Sequence, residues 1–351
     1  HMNHFNKRIA NIPQSLWSLI NQIDELKGQW VGGAKMNPQA LGRLRRSVLV
    51  TSTGASTRIE GSKLSDEDIE KMMRGLSVQK FANRDIQEVR GYYELLENVF
   101  NAWGNIPLSE STVKHLHREL LKYVEKDKLH RGEYKKIENK VEMINEAGQS
   151  IGTLFDTTPA YLTPKEMQEL VEWAREAILL KEIHPLPIIG NFLVEFLNIH
   201  PFQDGNGRLS RVLTNLLLLQ SGYVYTPYVS HEKLVEDNKA EYYIALRKSQ
   251  KTLKTTKVDI TPWLEFFLNV LLKQSKQAIE LLSKENIDKL LSPKQLLVWE
   301  YLEQTEEATP GEIAKATNVA RPTVSQALDT LLRLKKVERI GQGRTTRYKK
   351  K

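Results

Sequence analysis

The sequence predicts a mainly α-helical protein with two short β-hairpins. Apolar residues recur at intervals of three and four along most of the chain, and this spacing places them on one face of a helix. Two stretches depart from the pattern. Within residues 132–163, segments 134–137 and 151–155 are expected to be extended, and residues 337–348 alternate around a glycine-rich turn. The segments with helical periodicity are 5–30, 65–76, 81–103, 109–124, 164–181 and 185–199, with another helix expected after residues 37–38.

The composition is that of an ordinary globular protein. A chain of 351 residues with 40% hydrophobic and 27% charged residues predicts two or three domains. Cysteine is absent, which excludes disulfides and thiolate zinc sites. No apolar run approaches the roughly 20 residues that span a bilayer, and the first residues lack the apolar core of a secretory signal. We therefore expect a cytoplasmic protein with no membrane partner.

The excess positive charge of the chain lies at its C-terminal end. The net charge is +8. Residues 321–351 contain ten Lys or Arg and two Asp or Glu, which leaves 41 basic and 41 acidic residues in the other 320. A concentrated basic surface favours an anionic partner, and nucleic acid is one such partner.

The most informative segment is residues 200–211, HPFQDGNGRLSR, which leads into an apolar helical stretch. Gly205 and Gly207 can adopt positive φ, so the turn can direct several backbone N–H groups toward one anion at the start of that helix. Arg208 and Arg211 lie three residues apart and would add two guanidinium groups on the same face. The segment therefore predicts a phosphate-binding site.

Two other side chains of this segment suit proton transfer and metal binding. His200, with an ordinary pKa of about 6.5, can accept a proton from an attacking hydroxyl. Asp204 offers the anionic oxygen that Mg²⁺ prefers. A lone histidine or a lone Gly-Asn-Gly turn is more often structural, so the prediction depends on their combination in one segment.

Residues 200–211 resemble the Fic motif, HxFx(D/E)GNGRxxR, and fill each of its fixed positions. The resemblance implies a helical Fic domain that transfers a nucleotide fragment, usually AMP from ATP, to a Ser, Thr or Tyr hydroxyl of a protein, with release of pyrophosphate. It implies His200 as the base and Asp204 as the Mg²⁺ ligand. The implied nucleotide-binding residues are Gly205, Asn206, Gly207, Arg208 and Arg211. The same fold also transfers UMP, phosphocholine or a phosphate, so the donor stays open, with ATP preferred.

Residues 56–61, STRIEG, resemble the inhibitory motif (S/T)xxxE(G/N) of autoinhibited Fic proteins. We expect Glu60 to form a bidentate pair with Arg211 and to compete there with the terminal phosphate of ATP. Ser56 lies one helical turn earlier and is expected to help hold the segment against the site. The resemblance also implies that such a glutamate positions water for removing AMP. Outside a Fic protein, Glu60-Gly61 would be interpreted as a solvated carboxylate beside a C-cap glycine.

Two further assignments follow from the same resemblance. Residues 151–155 would belong to a flap over the active site, where a strand edge can align a target segment beside His200. The alternative is an ordinary surface hairpin. Tyr242 and Tyr243 lie in a segment that looks like the family's helix bordering the adenine pocket, although two core aromatic residues would give the same pattern.

Residues 292–351 resemble a winged helix-turn-helix domain. Ser292-Pro293 and Thr309-Pro310 predict helix starts, a third helix is expected from about residue 322, and residues 337–348 predict a two-stranded wing. Such domains commonly place the last helix in the major groove of DNA and the wing on phosphates. The candidate DNA-binding residues are Arg321, Thr323, Ser325, Gln326, Arg344 and Arg347. The alternatives are a solvated basic face, or a winged helix that serves for dimerisation or for docking a target protein.

The predicted organisation has four parts. These are an N-terminal helical region with the inhibitory motif (1–90), a catalytic core (91–275), a helical linker (276–291) and a winged helix-turn-helix domain (292–351). Two functions stay open: an autoinhibited protein adenylyltransferase, or a DNA-binding transcriptional regulator whose Fic domain senses nucleotide. The expected partners are ATP with Mg²⁺, a protein target or the protein itself, and DNA. The sequence does not decide between a monomer and a homodimer.

Overall fold

The computed structural model describes residues 3–30, 38–75, 83–144, 147, 149–282, 287 and 291–351. Over these residues the regular structure is helical apart from two small antiparallel sheets of two strands each. The predicted fold class, mainly α with a β-hairpin inside the helical part, is confirmed. Among the described helices none combines the length and apolarity needed to cross a bilayer.

The N-terminal segment forms two helices where the sequence predicted one over residues 5–30. Helix α1 spans His4–Ile9 and α2 spans Gln14–Trp30. Pro13 lies between them. It has no N–H for the carbonyl four residues earlier and its ring would clash with that carbonyl, so one continuous helix is excluded and the prediction is wrong here.

Four helices follow, and they build the side of the fold that carries residues 56–61. Helix α5 packs against both α3 and α6. Ser65 and Asp68 form a reciprocal capping box at the start of α4, and Ser109 caps α6 through the N–H of Thr112. The four helices are α3 (Pro38–Ile59), α4 (Asp66–Met73), α5 (Asn83–Ala102) and α6 (Glu110–Leu120).

A β-hairpin separates α6 from the central helices. Strand β1 spans Lys140–Ile144 and pairs antiparallel with β2, Ser150–Asp156. The extended conformation predicted for 151–155 is confirmed, whereas residues 134–137 are not a strand. The backbone N–H of Lys135 donates instead to the carbonyl of Pro201 at 2.8 Å, so this segment bonds a loop of the central helices and β1 begins later.

The central helices surround α8, which is buried on all sides. Every residue of α8 from Leu186 to Ile199 is buried, as expected for a helix enclosed by others. Helix α8 packs against α7, α9 and α12. The loop between α8 and α9 is therefore held between two buried helices. The group comprises α7 (Thr163–Leu180), α8 (Pro185–Ile199), α9 (Asn206–Gln220), α10 (His231–Asp237), α11 (Lys239–Gln250) and α12 (Thr261–Glu280).

The C-terminal residues form three helices and a hairpin. The helix starts predicted at Ser292 and Thr309 are present. The capping box predicted between Thr309 and Glu312 is confirmed, and Ser292 forms a second one with Gln295. This order of elements is the one that the winged-helix interpretation expects, and that interpretation stays a prediction. The elements are α13 (Pro293–Gln304), α14 (Pro310–Thr317), α15 (Arg321–Arg333), β3 (Val337–Ile340) and β4 (Arg347–Lys350).

The predicted domain boundaries do not coincide with breaks in the helices. The boundary at 90/91 falls inside α5, and the boundary at 275/276 falls inside α12. One cluster of buried apolar residues runs from Phe5 to Val337. The division into four parts therefore stays a proposal.

Candidate active site

The predicted site is built on the short connection between α8 and α9. His200 caps the C-terminus of α8 with φ 53° and ψ 61°, and its N–H donates to the carbonyl of Phe196 at 2.9 Å. Gly205 caps the N-terminus of α9 with φ 86°. A left-handed backbone is ordinary for glycine and uncommon for histidine. The surroundings of His200 must therefore hold it in place.

The imidazole of His200 is arranged as a proton acceptor. Its Nδ1 lies 3.3 Å from the carbonyl of Leu197, which assigns the ring proton to Nδ1 and leaves the lone pair on Nε2. Burial, followed by the positive charge of Lys135, lowers the pKa of His200 to about 4. The ring is therefore neutral at neutral pH.

A second histidine, His117, holds the loop between α8 and α9, and the sequence analysis missed it. Nδ1 of His117 accepts the N–H of Gly132 at 2.8 Å, so Nε2 carries the proton and donates to the carbonyl of Asp204 at 2.8 Å. The ring stacks on Phe202 with centroids 3.8 Å apart. Burial lowers the pKa of His117 to about 4 and keeps it neutral. Nothing in the local sequence distinguishes this residue from other buried positions of α6.

The start of α9 presents backbone N–H groups, as predicted, but the side chain of Asn206 does not face the site. Its Oδ1 accepts the N–H of Phe202 at 2.9 Å and its Nδ2 donates to the Phe202 carbonyl at 2.8 Å. Both polar atoms are used to close the loop. The predicted part of Asn206 in nucleotide binding is thus limited to its backbone N–H, beside those of Gly207 and Arg208 in the first turn.

Arg208 is buried with part of its hydrogen-bonding capacity unused. Its side chain is 2% exposed and lies 3.4 Å from a Glu88 oxygen and 3.5 Å from an Asp204 oxygen. Among the described residues, Nε and Nη1 have no hydrogen-bond partner. Buried donors normally have acceptors. A guanidinium with open donors at a helix N-terminus suits an anionic ligand.

Asp204 is ionised and balanced by arginines. Its carboxylate pairs with Arg84 at 2.9 Å and accepts the N–H of Gly205 at 2.8 Å. Burial alone would raise the Asp204 pKa, but the charges of Arg208 and Arg84 bring it below its usual value.

Asp204 suits a metal ion that is shared with a nucleotide. No group of three or more His, Asp or Glu side chains in the described part of the chain could form a metal cage. One carboxylate is nevertheless enough for Mg²⁺ when phosphate oxygens and water supply the remaining ligands. The residues present therefore fit an Mg²⁺ ion that arrives with its nucleotide, once the Arg84 pair gives way.

Arg211 is held by α3 through Ser56 and Glu60. Its Nε donates to Ser56 Oγ at 2.7 Å, and its Nη2 donates to the Ser56 carbonyl at 3.0 Å and to Glu60 Oε1 at 2.6 Å. The predicted bidentate pair with Glu60 is therefore wrong in detail, because the guanidinium is shared between two residues of α3. Burial by itself would lower the Arg211 pKa, but the Glu60 charge raises it above its usual value.

The Glu60 carboxylate also lies against the turn at the start of α9. A Cβ built on Gly207 would be 2.2 Å from Glu60 Oε1. Only a glycine leaves room for this approach. The carboxylate therefore occupies the space in front of the N-terminus of α9, where the sequence analysis expected a phosphate.

Arg58 fixes the end of α3 in this position. Its Nε and Nη2 donate to the two carboxylate oxygens of Glu236 at 2.8 and 3.1 Å, and its Nη1 donates to Asp66 at 2.9 Å. Glu236 belongs to α10 and Asp66 to α4. Helices α10 and α4 thus hold the segment that carries Glu60.

The two tyrosines of α11 differ in their surroundings. Tyr242 is 5% exposed and packs edge-on against Trp263, with centroids 5.8 Å apart. It is a core aromatic residue beside Arg211. Tyr243 is partly buried, 5.2 Å from Tyr242 between ring centroids. Contact of either ring with a nucleotide stays a prediction.

The candidate DNA-binding residues separate into two groups. Arg321, Ser325 and Gln326 are exposed along the first turns of α15, Arg344 is exposed in the turn after β3, and Thr323 is partly buried. Arg347 instead pairs with Glu307 at 3.1 Å and with Glu312 at 3.3 Å. Its charge is balanced inside the domain, which weighs against the predicted contact with DNA phosphates.

Residues 107–218 match the model of the Fic/DOC family. The chain therefore contains a Fic/DOC family domain, and the match includes the whole of the segment 200–211. It extends from the start of α6 through most of α9.

Curated relatives of the chain carry the name of protein adenylyltransferase. A probable protein adenylyltransferase of Aquifex aeolicus is 26% identical over 227 residues, which are 62% of this chain and 63% of the relative. A protein adenylyltransferase of Caenorhabditis elegans is 30% identical over 96 residues, which are 27% of this chain and 17% of the relative. The chain thus spans less than two thirds of each of these relatives.

Two solved structures share the fold. A Fic family protein from Desulfovibrio desulfuricans matches with a TM-score of 0.63 and 24% identity, covering 97% of both chains. A Fic-domain signaling protein from Bacteroides thetaiotaomicron matches with a TM-score of 0.60 and 23% identity, covering 74% of this chain and 96% of that one. The first likeness extends over almost the whole chain.

Proposed function

We propose that the Fic/DOC domain of this chain is an autoinhibited protein adenylyltransferase, which transfers AMP from ATP to a hydroxyl group of a protein. One observation carries the proposal. A neutral His200 lies at the end of α8, and α9 begins shortly after it. Among the described residues, no side chain caps the N-terminus of α9, and Nε and Nη1 of buried Arg208 make no hydrogen bond. A base beside an anion site is what nucleotidyl transfer to a hydroxyl requires. The adenylyltransferase names of the relatives support the choice of reaction.

The reaction is a displacement at the α-phosphorus of ATP. The hydroxyl oxygen of the target forms a bond to that phosphorus, and the bond between the phosphorus and the oxygen bridging to the β-phosphate breaks. Pyrophosphate leaves, and the hydroxyl proton passes to Nε2 of His200. Because His200 is neutral at neutral pH, it can take this proton without first losing one.

The phosphates are bound by the α9 N-terminus and the two arginines. Arg208 and Arg211 both project from the first turns of α9 and are 2% and 3% exposed. Guanidinium groups in so dry a site hold phosphate oxygens strongly and orient the leaving group. Asp204 would hold Mg²⁺, which supplies positive charge to the phosphates when bound.

Inhibition in this proposal is a competition for Arg211 and for the space before Gly207. Glu60 occupies both in the present structure. A nucleotide whose terminal phosphate is displaced from that place would bind without the alignment that attack requires. We further propose that the same carboxylate orients water when AMP is removed from a modified protein.

The target is proposed to align along the β1–β2 hairpin. A short two-stranded sheet leaves unpaired strand edges, and an extended target segment can add to one of them through main-chain hydrogen bonds. A second copy of the chain or the chain itself can supply that segment, and self-modification is therefore a usable assay.

The test uses ATP labelled at either the α- or the γ-phosphate, with Mg²⁺, and follows label on protein for wild type, Glu60→Gly and Glu60→Gly/His200→Ala. The proposal expects label from α-ATP only, strongest in Glu60→Gly and absent from the double variant. Label from γ-ATP alone would show phosphate transfer instead. Absence of label from α-ATP in every sample, with added cell extract as a source of targets, would reject adenylyl transfer.

A second candidate function is DNA binding by the C-terminal domain. It is favoured by the exposed polar side chains Arg321, Ser325 and Gln326 at the start of α15 and by the charge excess of residues 321–351. A gel-shift series over increasing salt tests it. Sequence-specific binding that weakens with salt supports a regulator whose Fic domain senses nucleotide, and this function is compatible with the first.

A further inference from the structure

The main chain around His200 is bonded to the two ends of the β1–β2 hairpin. Five consecutive carbonyl oxygens, from Asn198 to Phe202, each accept a hydrogen bond from residues 135–158. The donors lie in the segment just before β1 and in the segment just after β2. The loop that carries the histidine and the base of the hairpin are therefore one hydrogen-bonded unit.

Three residues donate to the five carbonyls, and Lys135 and Asn139 alternate along the last four. Thr158 N–H reaches Asn198 O at 3.3 Å, Lys135 Nζ reaches Ile199 O at 3.0 Å, Asn139 Nδ2 reaches His200 O at 3.2 Å, Lys135 N–H reaches Pro201 O at 2.8 Å, and Asn139 Nδ2 reaches Phe202 O at 2.8 Å. Asn139 directly precedes β1. Its side-chain amide thus donates to the carbonyls of the residues before and after Pro201. The first of these residues is His200, which has the left-handed backbone.

A hydroxyl and an ammonium complete the unit. Thr157, directly after β2, donates from Oγ1 to Asn139, whose Oδ1 lies 2.6 Å away. Lys135 Nζ donates to Asn139 Oδ1 at 2.9 Å, to Thr157 Oγ1 at 2.9 Å and to Ile199 O. All three N–H bonds of the buried ammonium are therefore satisfied. It also lies at the C-terminus of α8, where the helix dipole favours a cation.

We propose that Lys135, Asn139 and Thr157 are positioning residues, which hold the left-handed backbone of His200 and set its place relative to the hairpin. A histidine with φ 53° needs external support, and these side chains bond its carbonyl and the carbonyls on either side. They connect the proton acceptor His200 rigidly to the hairpin edge that would present a target hydroxyl. The inference rests on the proposed function, because the position of His200 matters only if it accepts the hydroxyl proton.

The experiment compares near-isosteric variants in the Glu60→Gly background. Asn139→Asp removes the two N–H donors, Thr157→Val removes the hydroxyl, and Thr157→Ser retains it. Asn269→Asp is the matched control, because that exposed amide donates to a carbonyl of its own helix and, within the described part of the chain, makes no hydrogen bond to the loop or the hairpin. Two quantities are measured: the single-turnover rate of self-modification from α-labelled ATP, and the dissociation constant of ATP.

We expect Asn139→Asp and Thr157→Val to lower the single-turnover rate by about tenfold or more while the dissociation constant of ATP stays within about twofold. Thr157→Ser and Asn269→Asp should keep the rate of their parent. Rates within twofold for both Asn139→Asp and Thr157→Val would overturn the inference. An equal weakening of ATP binding would also overturn it, because a general loss of structure would then account for the effect.

Hydrogen exchange by mass spectrometry provides a readout that needs no activity. Asn139→Asp and Thr157→Val should speed amide exchange both in residues 140–156 and in residues 198–206, whereas Thr157→Ser should not. Unchanged exchange, or a change in only one segment, would contradict the coupling. If Glu60→Gly transfers no label at all, the proposed function fails, and exchange alone then decides whether the coupling exists.

Discussion

The proposed inhibitory contact between Glu60 and Arg211 gives the most quantitative prediction. Glu60→Gly removes the carboxylate, and Glu60→Gln keeps its size but removes its charge. In both variants the two hydrogen bonds that Arg211 donates to Ser56 stay available. The variants therefore report on the Glu60 carboxylate rather than on the whole of α3.

The expected size of the effect follows from the contact itself. A hydrogen bond to a charged group contributes about 1.5–3 kcal/mol and a neutral one about 0.5–1.5 kcal/mol. Because the Glu60 side chain is 32% exposed, the lower value applies. Loss of about 1.5 kcal/mol corresponds to roughly a tenfold faster reaction for Glu60→Gly, and loss of about 1 kcal/mol to roughly fivefold for Glu60→Gln. Relief of repulsion between the carboxylate and a phosphate before Gly207 would add to the first figure.

The assay is the initial rate of self-modification from α-labelled ATP at fixed Mg²⁺. The order wild type, Glu60→Gln, Glu60→Gly is expected, from slowest to fastest. Glu306→Gly serves as the control, since Glu306 is an exposed loop residue far along the chain. A Glu60→Gly rate within twofold of wild type would refute the reasoning, and so would an equal gain in the control.

Three other predictions concern stability and DNA. Gly205→Ala places a side chain at φ 86° and should lower the free energy of unfolding in urea by about 1–2 kcal/mol. Gly104→Ala should leave that free energy unchanged, because a Cβ there meets no atom within 4 Å. Equal losses in the two variants would be inconsistent with strain at the turn. Burial, with a contribution from a nearby arginine, lowers the pKa of His231 to about 4, so the unfolded chain binds more protons between about pH 6.5 and 4 and stability falls as the pH falls through that window. His231→Gln should make the decline shallower by up to about 1.4 kcal/mol per pH unit in urea titrations; an unchanged slope would show that this histidine is not responsible. In gel shifts, Arg321→Ala should weaken DNA binding. Arg347→Ala should not, because Arg347 is paired with two glutamates. Weaker binding by Arg347→Ala alone would indicate that the wing, rather than α15, contacts DNA.

Local chemistry was sufficient to predict most of the fold. Periodic apolar residues gave the helices, and α8 was predicted over its observed span of 185–199. Serine and threonine caps marked the starts of α13 and α14. The errors arose where tertiary contacts decided the outcome. Residues 134–137 have the composition of a strand, but Lys135 bonds the loop at Pro201.

The site was predictable where its residues are contiguous. Residues 200–211 form one turn between two helices, so spacing alone brought the histidine, the glycines and the arginines together. His117, Lys135 and Asn139 come from distant parts of the chain and reach this loop only in the folded structure. The division of Arg211 between Ser56 and Glu60 was likewise hidden, because it depends on how α3 lies across α9.

In the proposed reaction, His200 accepts a hydroxyl proton while AMP is transferred to protein. Intact-mass spectrometry of Glu60→Gly and of Glu60→Gly/His200→Ala after incubation with ATP and Mg²⁺ tests it most directly. We expect a mass increase of one AMP unit per modified hydroxyl in the single variant and none in the double variant. An equal increase in both proteins would contradict it, because AMP transfer would then proceed without the imidazole.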